Sequence, residues 1–100
     1  MERIAFQLRI EEGKRDDYRT AHEEVPEWLE TAYLDSDAGI ERYSVFEADG
    51  TVFGVLELEN PEAFREVMAE SEAQSRWDEH MSPILTGDEP VWLDEVYRLC

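Results

Sequence analysis

Residues 40–59 read IERYSVFEADGTVFGVLELE, and this stretch decides the fold. Residues 40–47 and 51–59 are both rich in β-branched and aromatic side chains, which is typical of strands. The segment between them ends in Asp49-Gly50, a turn sequence whose glycine accepts a positive φ angle. The stretch therefore predicts an antiparallel β-hairpin in the middle of the chain.

Two further strands are predicted near the ends of the chain. Residues 3–11, RIAFQLRIE, alternate between two faces. One face would carry the apolar side chains Ile4, Phe6, Leu8 and Ile10, and the other would carry Arg3, Ala5, Gln7 and Arg9. Residues 91–99, VWLDEVYRL, alternate again and predict the last strand. Residues 82–90 between helix and strand are expected to form a loop.

Helical segments are predicted on either side of the hairpin. A first helix over residues 14–34 would place one set of side chains in an inward arc: Tyr18, Ala21, His22, Val25, Leu29 and Ala32. Pro26 removes an amide donor inside this segment, so the helix should bend or restart there. A second helix should begin with Asn60 as its N-cap and Pro61 in its first turn. Residues 71–81 either extend it or form another short helix.

The predicted order of elements is β-α-β-β-α-β. This order is the ferredoxin-like α+β pattern, a four-stranded antiparallel sheet with its helices on one face. Residues 1–100 are expected to form a single domain. Because the second sheet face would lack cover within the chain, we expect a homodimer in which the sheets of two subunits face each other.

The charge of the chain excludes several classes of partner. The chain has 26 acidic and 9 basic residues, for a net charge of −17. Such a surface repels nucleic acid and anionic membranes. No apolar run approaches the ~20 residues of a membrane span, and the first residues do not resemble a secretory signal, so a cytoplasmic location is expected. Because Lys14 is the single lysine, we also predict adaptation to high salt, with higher stability in molar KCl.

The sequence lacks the common motifs for metal and cofactor chemistry. His22 and His80 are far apart, and Cys100 is the single cysteine. No glycine-rich phosphate loop or G-x-S-x-G segment occurs. We therefore expect no metal and no cofactor, and we do not expect hydride transfer, phosphoryl transfer or ordinary acyl hydrolysis.

A small set of aromatic and ionisable side chains is left as a candidate site. Tyr18 and His22 lie one helical turn apart and should share a face. Tyr43 and Trp77 are further aromatic side chains of the kind that pack on sugar C–H faces. The same residues also fit a packed core histidine with ordinary core aromatics. Asp78 and His80 fit either polar site residues or a solvated helix face.

The chain resembles the L-rhamnose mutarotases over nearly its whole length. The shared features follow in order: the opening RIAF, Tyr18 and His22 as Y-x-x-x-H, Gly39 and Tyr43 as G-x-x-x-Y, the strand VFGVLELE, Trp77 and Met81 as W-x-x-x-M, and the ending LDEVYRL. The resemblance implies a dimeric ferredoxin-like fold. It also implies an isomerase that interconverts the α and β anomers of L-rhamnose or a related neutral aldose, without metal or cofactor.

The resemblance also implies roles for individual residues. His22 corresponds to the catalytic acid, and Tyr18, Tyr43 and Trp77 correspond to residues that contact the sugar. Asp78 stands where the family has a second tryptophan, so we expect it in the substrate pocket with altered chemistry. His80 stands where tyrosine is frequent. The segment HEEVPEW also departs from the family pattern, which reads closer to HNPIWPE. The general base is left open between Asp78, a tyrosine and bound water.

Two other functions are compatible with the same residues. A cofactor-free monooxygenase on the same dimeric fold would use buried aromatics and a histidine, and oxygen uptake with quinol-like substrates would reveal it. A non-catalytic sugar-binding or regulatory module would bind sugar without accelerating anomer exchange.

Overall fold

The protein is described by a computed structural model over residues 1–87 and 89–99. In that part of the chain one antiparallel sheet has the strand order β2-β3-β1-β4. The strands are β1 (Glu2–Arg9), β2 (Ile40–Ala48), β3 (Thr51–Leu58) and β4 (Val91–Leu93). The helices are α1 (Arg15–Glu23), α2 (Glu27–Leu34), α3 (Pro61–Glu70) and α4 (Glu72–Met81). This confirms the ferredoxin-like α+β prediction. Asp88, in the predicted loop, and Cys100 lie outside the described residues.

The central hairpin forms as predicted. Ala48 pairs with Thr51, so the loop contains two residues, Asp49 at φ 51° and Gly50 at φ 82°. Two positive φ angles match a turn whose twist fits that of the flanking strands. β3 then pairs along its full length with β1, from Glu2 opposite Leu58 to Arg9 opposite Thr51. The hairpin thus supplies the middle of the sheet.

The helices cover one face of the sheet, where the core lies. Phe6 and Leu56 from the sheet pack there with Phe64 of α3, and all three are buried. Gly54 is needed in this layer because a Cβ atom at that position would lie 2.3 Å from the Phe6 ring. The alternation predicted for β1 is confirmed, since Ile4 and Leu8 pack against the same core.

The predicted helix over residues 14–34 is two helices. α1 ends at Glu23, and Pro26 serves as the N-cap residue of α2. This outcome agrees with the predicted restart and follows from the amide that proline lacks. The second helical region also divides into two helices, at Ser71. The Ser71 side chain accepts a hydrogen bond from the backbone amide of Gln74 at 3.4 Å. No helix in residues 1–87 and 89–99 is long and apolar enough to cross a membrane.

The strand predicted over residues 91–99 is much shorter than expected. β4 pairs with β1 only from Val91 to Leu93, although the alternating pattern continues to Leu99. Leu93 lies opposite Ala5, so β1 offers few further residues for pairing before its start at Glu2. The residues after β4 are exposed to solvent; the exposed fraction of Val96, for example, is 95%. The first strand is also shorter, because beyond Arg9 only Ile10 forms an isolated bridge, to Leu85.

The second face of the sheet carries an apolar stripe that no helix of the described residues covers. Its members alternate with the core residues and are, across the four strands, Ala5, Phe46, Phe53, Val55, Val91 and Leu93. The polar residues Gln7 and Ser44 lie on the same face. Phe46 lies opposite Phe53 and is 59% exposed, and Val91 is 56% exposed. At one end of this open face, Glu57 bridges Arg3 at 3.2 Å and Arg42 at 3.5 Å.

Candidate active site

A cavity of about 690 Å³ lies between the covered sheet face and the helices. It brings together all five side chains predicted for the site: Tyr18, His22, Tyr43, Trp77 and Asp78. A second cavity of about 320 Å³ shares His22, Tyr43 and Trp77 with the first. The volumes lie in the range of small-molecule sites.

His22 stands at the centre of an aromatic cluster in this cavity. Its ring stacks on Tyr18 of the preceding helical turn, with 4.3 Å between the ring centroids. Trp77 of α4 also contacts the His22 ring in an edge-on arrangement, with 5.4 Å between the ring centroids. His22 Nδ1 lies 2.9 Å from the Tyr18 carbonyl oxygen. Because a carbonyl only accepts, Nδ1 must carry the proton, and Nε2 is the nitrogen left for a bound molecule.

A carboxylate ties α1 to the hairpin and thereby holds the Tyr18–His22 pair. Glu47, whose side chain is 6% exposed, accepts hydrogen bonds from Arg15 Nε at 2.8 Å and Arg19 Nε at 2.7 Å. It also accepts one from the Gly50 amide at 2.9 Å. Hydrogen bonds from Arg15, Gly50 and Arg19 lower the pKa of Glu47 to about 2. The carboxylate therefore stays ionised at neutral pH and keeps both arginines of α1 in place.

Three tyrosines supply neutral hydroxyl groups to the cavity. Tyr33 lies edge-on to Tyr43, with 5.4 Å between the centroids, and both contact the buried Phe64. Burial raises the pKa of Tyr18, Tyr33 and Tyr43 well above the usual range. All three phenols therefore stay protonated at neutral pH.

Tyr33 and Gln74 line the cavity but were missed from the sequence. Tyr33 lies four residues after Leu29 of the inward arc, and this spacing was the available signal. The hydroxyl of Tyr33 donates to Gln74 Oε1. Gln74 Nε2 in turn donates to Asp78 Oδ1 at 2.8 Å. Gln74 and Asp78 are four apart on one helix, which is a recognised spacing for such a bond.

His80, which the sequence left open between a polar site residue and a solvated helix face, lies outside the site. Its ring centroid is 5.6 Å from that of Trp77, but its side chain is exposed and lines neither of the two cavities. The described residues contain no group of three histidine, cysteine or acidic side chains that could hold a metal ion.

The chain matches known proteins over almost its full length. A family model described as L-rhamnose mutarotase matches residues 3–99. An L-rhamnose mutarotase of Bacillus subtilis is 32% identical, with 99% of each chain covered. One of Burkholderia ambifaria is 35% identical, covering 85% of this chain and 81% of that protein. The crystal structure of the L-rhamnose mutarotase FA22100 from Formosa agariphila has the same fold, with a TM-score of 0.82 at 23% identity and 99% of each chain covered. The protein therefore belongs to the L-rhamnose mutarotase family.

Proposed function

We propose that this protein is an isomerase that interconverts the α and β anomers of L-rhamnose or a related neutral aldose, with His22 as the proton donor. The supporting observation is the state of His22, whose Nδ1 is committed to the Tyr18 carbonyl and whose Nε2 is left for a ligand. Family membership adds independent support, and it does not favour the monooxygenase or the non-catalytic binding module.

The cavity matches the needs of a neutral sugar. Trp77 and Tyr18 present ring faces and edges on which sugar C–H groups pack. The hydroxyls of Tyr18 and Tyr43 can bond to sugar hydroxyls without carrying charge, because their raised pKa keeps them protonated. We therefore assign substrate binding to Tyr18, Tyr43, Trp77 and Asp78.

Anomer exchange requires opening of the pyranose ring, rotation about the C1–C2 bond and closure on the opposite face of C1. An acid must give a proton to the ring oxygen while a base removes the proton of the anomeric hydroxyl. Because Nδ1–H is held by the Tyr18 carbonyl, the ring of His22 is fixed, and its imidazolium form presents Nε2–H in a defined direction. In that form His22 is suited to the first of these steps. Neither step needs a cofactor.

We further propose that the active protein is a homodimer formed through the open face of the sheet. Phe46, Phe53 and Leu93 are the largest side chains of the apolar stripe that this contact would bury. Two aligned sheets pack face to face in many proteins, and a twofold axis lets one stripe cover its copy. The predicted cytoplasmic location stays a prediction.

Saturation-transfer NMR between the two anomeric protons of L-rhamnose tests the activity. We expect the protein to accelerate exchange, and His22→Ala to lose about 10²–10⁴-fold of that acceleration. His80→Ala, which removes the histidine outside the cavities, is the matched control and should retain the wild-type rate. Unchanged exchange in His22→Ala would contradict the role of His22. Sugar binding without accelerated exchange in the wild type would instead favour the binding module.

A further inference from the structure

A directed chain of hydrogen bonds crosses from α2 to α4 beside the cavity. Tyr33 donates to the amide oxygen of Gln74, and the amide nitrogen of Gln74 donates to Asp78 Oδ1 at 2.8 Å. Gln74 is 3% exposed, so it is a buried polar side chain with both of its ends engaged. Because an amide oxygen cannot donate and its nitrogen cannot accept, these bonds determine which way the amide points.

The chain ends on a carboxylate that still has capacity to accept. Oδ1 of Asp78 is held by Gln74, which leaves Oδ2 and the second lone pair of Oδ1 available. Asp78 lines the same cavity as His22. Asp78 itself is exposed, whereas Gln74 is buried. A buried amide that holds one carboxylate oxygen limits the rotation of that carboxylate and aims the other oxygen.

The other cavity groups are less suited to accept a proton. The three tyrosines stay protonated because burial raises their pKa. Two further charged groups line the cavity, Arg65 from α3 and Glu89 from the segment before β4. Arg65 carries no acceptor and packs its guanidinium over the Trp92 ring at 4.9 Å from the centroid. No hydrogen bond to another of the described residues orients the carboxylate of Glu89, whereas Gln74 orients that of Asp78.

We infer that Asp78 is the general base of the anomer exchange and that Gln74 is its positioning residue, oriented in turn by Tyr33. This inference rests on the proposed mutarotase function and deepens it, because it supplies the partner that His22 requires. It also explains why Gln74, a polar residue without an assigned role in substrate binding, is buried beside the cavity.

Two proton transfers accompany the opening of the sugar ring. Asp78 removes the proton from the anomeric hydroxyl of the cyclic sugar, and the oxygen electron pair forms the C1=O bond. The bond between C1 and the ring oxygen breaks, and its electron pair takes the proton from Nε2 of the His22 imidazolium. Ring opening thus gives the open-chain aldehyde, a neutral His22 imidazole and a protonated Asp78. After rotation about C1–C2, the same two protons return along the reverse path and close the ring as the other anomer.

The first test compares Asp78→Asn with the wild type by NMR anomer exchange at neutral pH. The asparagine keeps the shape and can still accept from Gln74, so the fold should be retained. We expect the exchange rate to fall about 10²–10⁴-fold. The Kd for L-rhamnose should change little, because the amide oxygen of asparagine still accepts hydrogen bonds from sugar hydroxyls. A wild-type exchange rate in Asp78→Asn would overturn the assignment.

The second test addresses Gln74 with the apolar variant Gln74→Met, which keeps a long unbranched side chain. We expect a loss of up to about 10²-fold in kcat, because a carboxylate free to rotate is no longer held in its reactive position. The loss should vanish in the Asp78→Asn background, since a positioning residue acts only through the group it positions. Equal losses in both backgrounds would show a structural effect and would overturn the positioning role.

The mutarotase activity and the role of Asp78 can be disproved separately. If the wild type does not accelerate anomer exchange, the proposed function is wrong and the role of Asp78 falls with it. If the wild type is active, His22→Ala is inactive and Asp78→Asn is fully active, the function stands and only this inference is wrong. Partial activity of Asp78→Glu, which keeps the carboxylate but moves it, would further support a proton acceptor over a purely steric role.

Discussion

The two faces of the same sheet differ in what they carry and in what changes there should do. The covered face holds Phe6, Leu56 and Phe64 in a closed core and opens beside it into the cavity. The open face holds an apolar stripe around Phe46 and Phe53, which the described helices leave uncovered. Because side chains alternate along each strand, every second residue faces the core and the cavity, and the others face the open surface.

Hydrophobic character alone therefore does not define a core. Phe46 and Phe64 are the same residue type, yet Phe46 is 59% exposed and Phe64 is fully buried. Substitutions on the covered face should lower the free energy of unfolding, and those on the open face should change the oligomeric state.

Phe64→Ala should destabilise the protein most. Phe64 contacts Tyr33 and Tyr43 of the cavity wall, with centroid distances of 5.9 Å and 5.7 Å. Removal of a buried phenyl ring leaves a cavity and costs about 3–5 kcal/mol of unfolding free energy. Urea denaturation measures this loss. Val96→Ala, on an exposed residue, should change the unfolding free energy by less than about 0.5 kcal/mol.

Gly54→Ala should destabilise the covered face by overpacking. The added methyl would lie 2.3 Å from the Phe6 ring, so the ring or the strand must move, at a cost of about 1–3 kcal/mol. Urea denaturation again gives the change. The double variant Gly54→Ala with Phe6→Leu should cost less than the sum of the two single variants, because the smaller side chain leaves room. Strict additivity would contradict the steric explanation.

Glu47→Gln should weaken the attachment of α1 to the hairpin in a pH-dependent way. The folded pKa of Glu47, about 2, is below the usual value of 4.5, so its stabilisation is present above pH 4.5 and is lost as pH falls toward 2. Melting temperatures of the variant and the wild type should therefore differ at pH 7 and converge on acidification. Glu62→Gln, at an exposed pair with Arg65, is the control. A difference that stays constant down to pH 2 would contradict the role of the charge.

Phe46→Glu should have the smallest effect on the chain's own fold and a clear effect on its assembly. A carboxylate in the stripe would be buried against its copy across the proposed twofold axis, where an unpaired charge is costly. Light scattering should change from dimer to monomer, while the circular dichroism spectrum stays the same. Thr20→Glu adds the same charge on the exposed side of α1 and should remain dimeric. If Phe46→Glu remained a dimer, the open face of the sheet would not be the dimer interface.

Most of the fold could be predicted because it depends on local signals. The Asp49-Gly50 turn, the alternation of β1 and the proline at residue 26 each act within a few residues. The length of β4 could not be predicted in this way. Its alternating pattern runs to Leu99, but a strand needs a neighbour, and β1 has few residues left for pairing beyond Ala5.

In the candidate site, too, some contacts could be predicted from the sequence and others could not. Tyr18 and His22 are four residues apart on one helix, so their stacking followed from spacing. Their meeting with Trp77 agrees with the order of motifs in the family, to which the chain belongs. Tyr33 and Gln74 were missed because a hydrogen bond between α2 and α4 joins residues 41 positions apart. No sequence pattern marks a glutamine as buried.

By itself, then, the sequence determined the order of the elements, the two faces of the sheet, the acidic surface and the pairing of Tyr18 with His22. These properties depend on side-chain periodicity, on turn chemistry and on charge, which are local or summed over the chain. The tertiary structure alone decided where β4 ends, how Glu47 holds α1 and how Tyr33 reaches Asp78 through Gln74. Each of these depends on distances between segments, and such distances exist only once the helices have packed on the sheet.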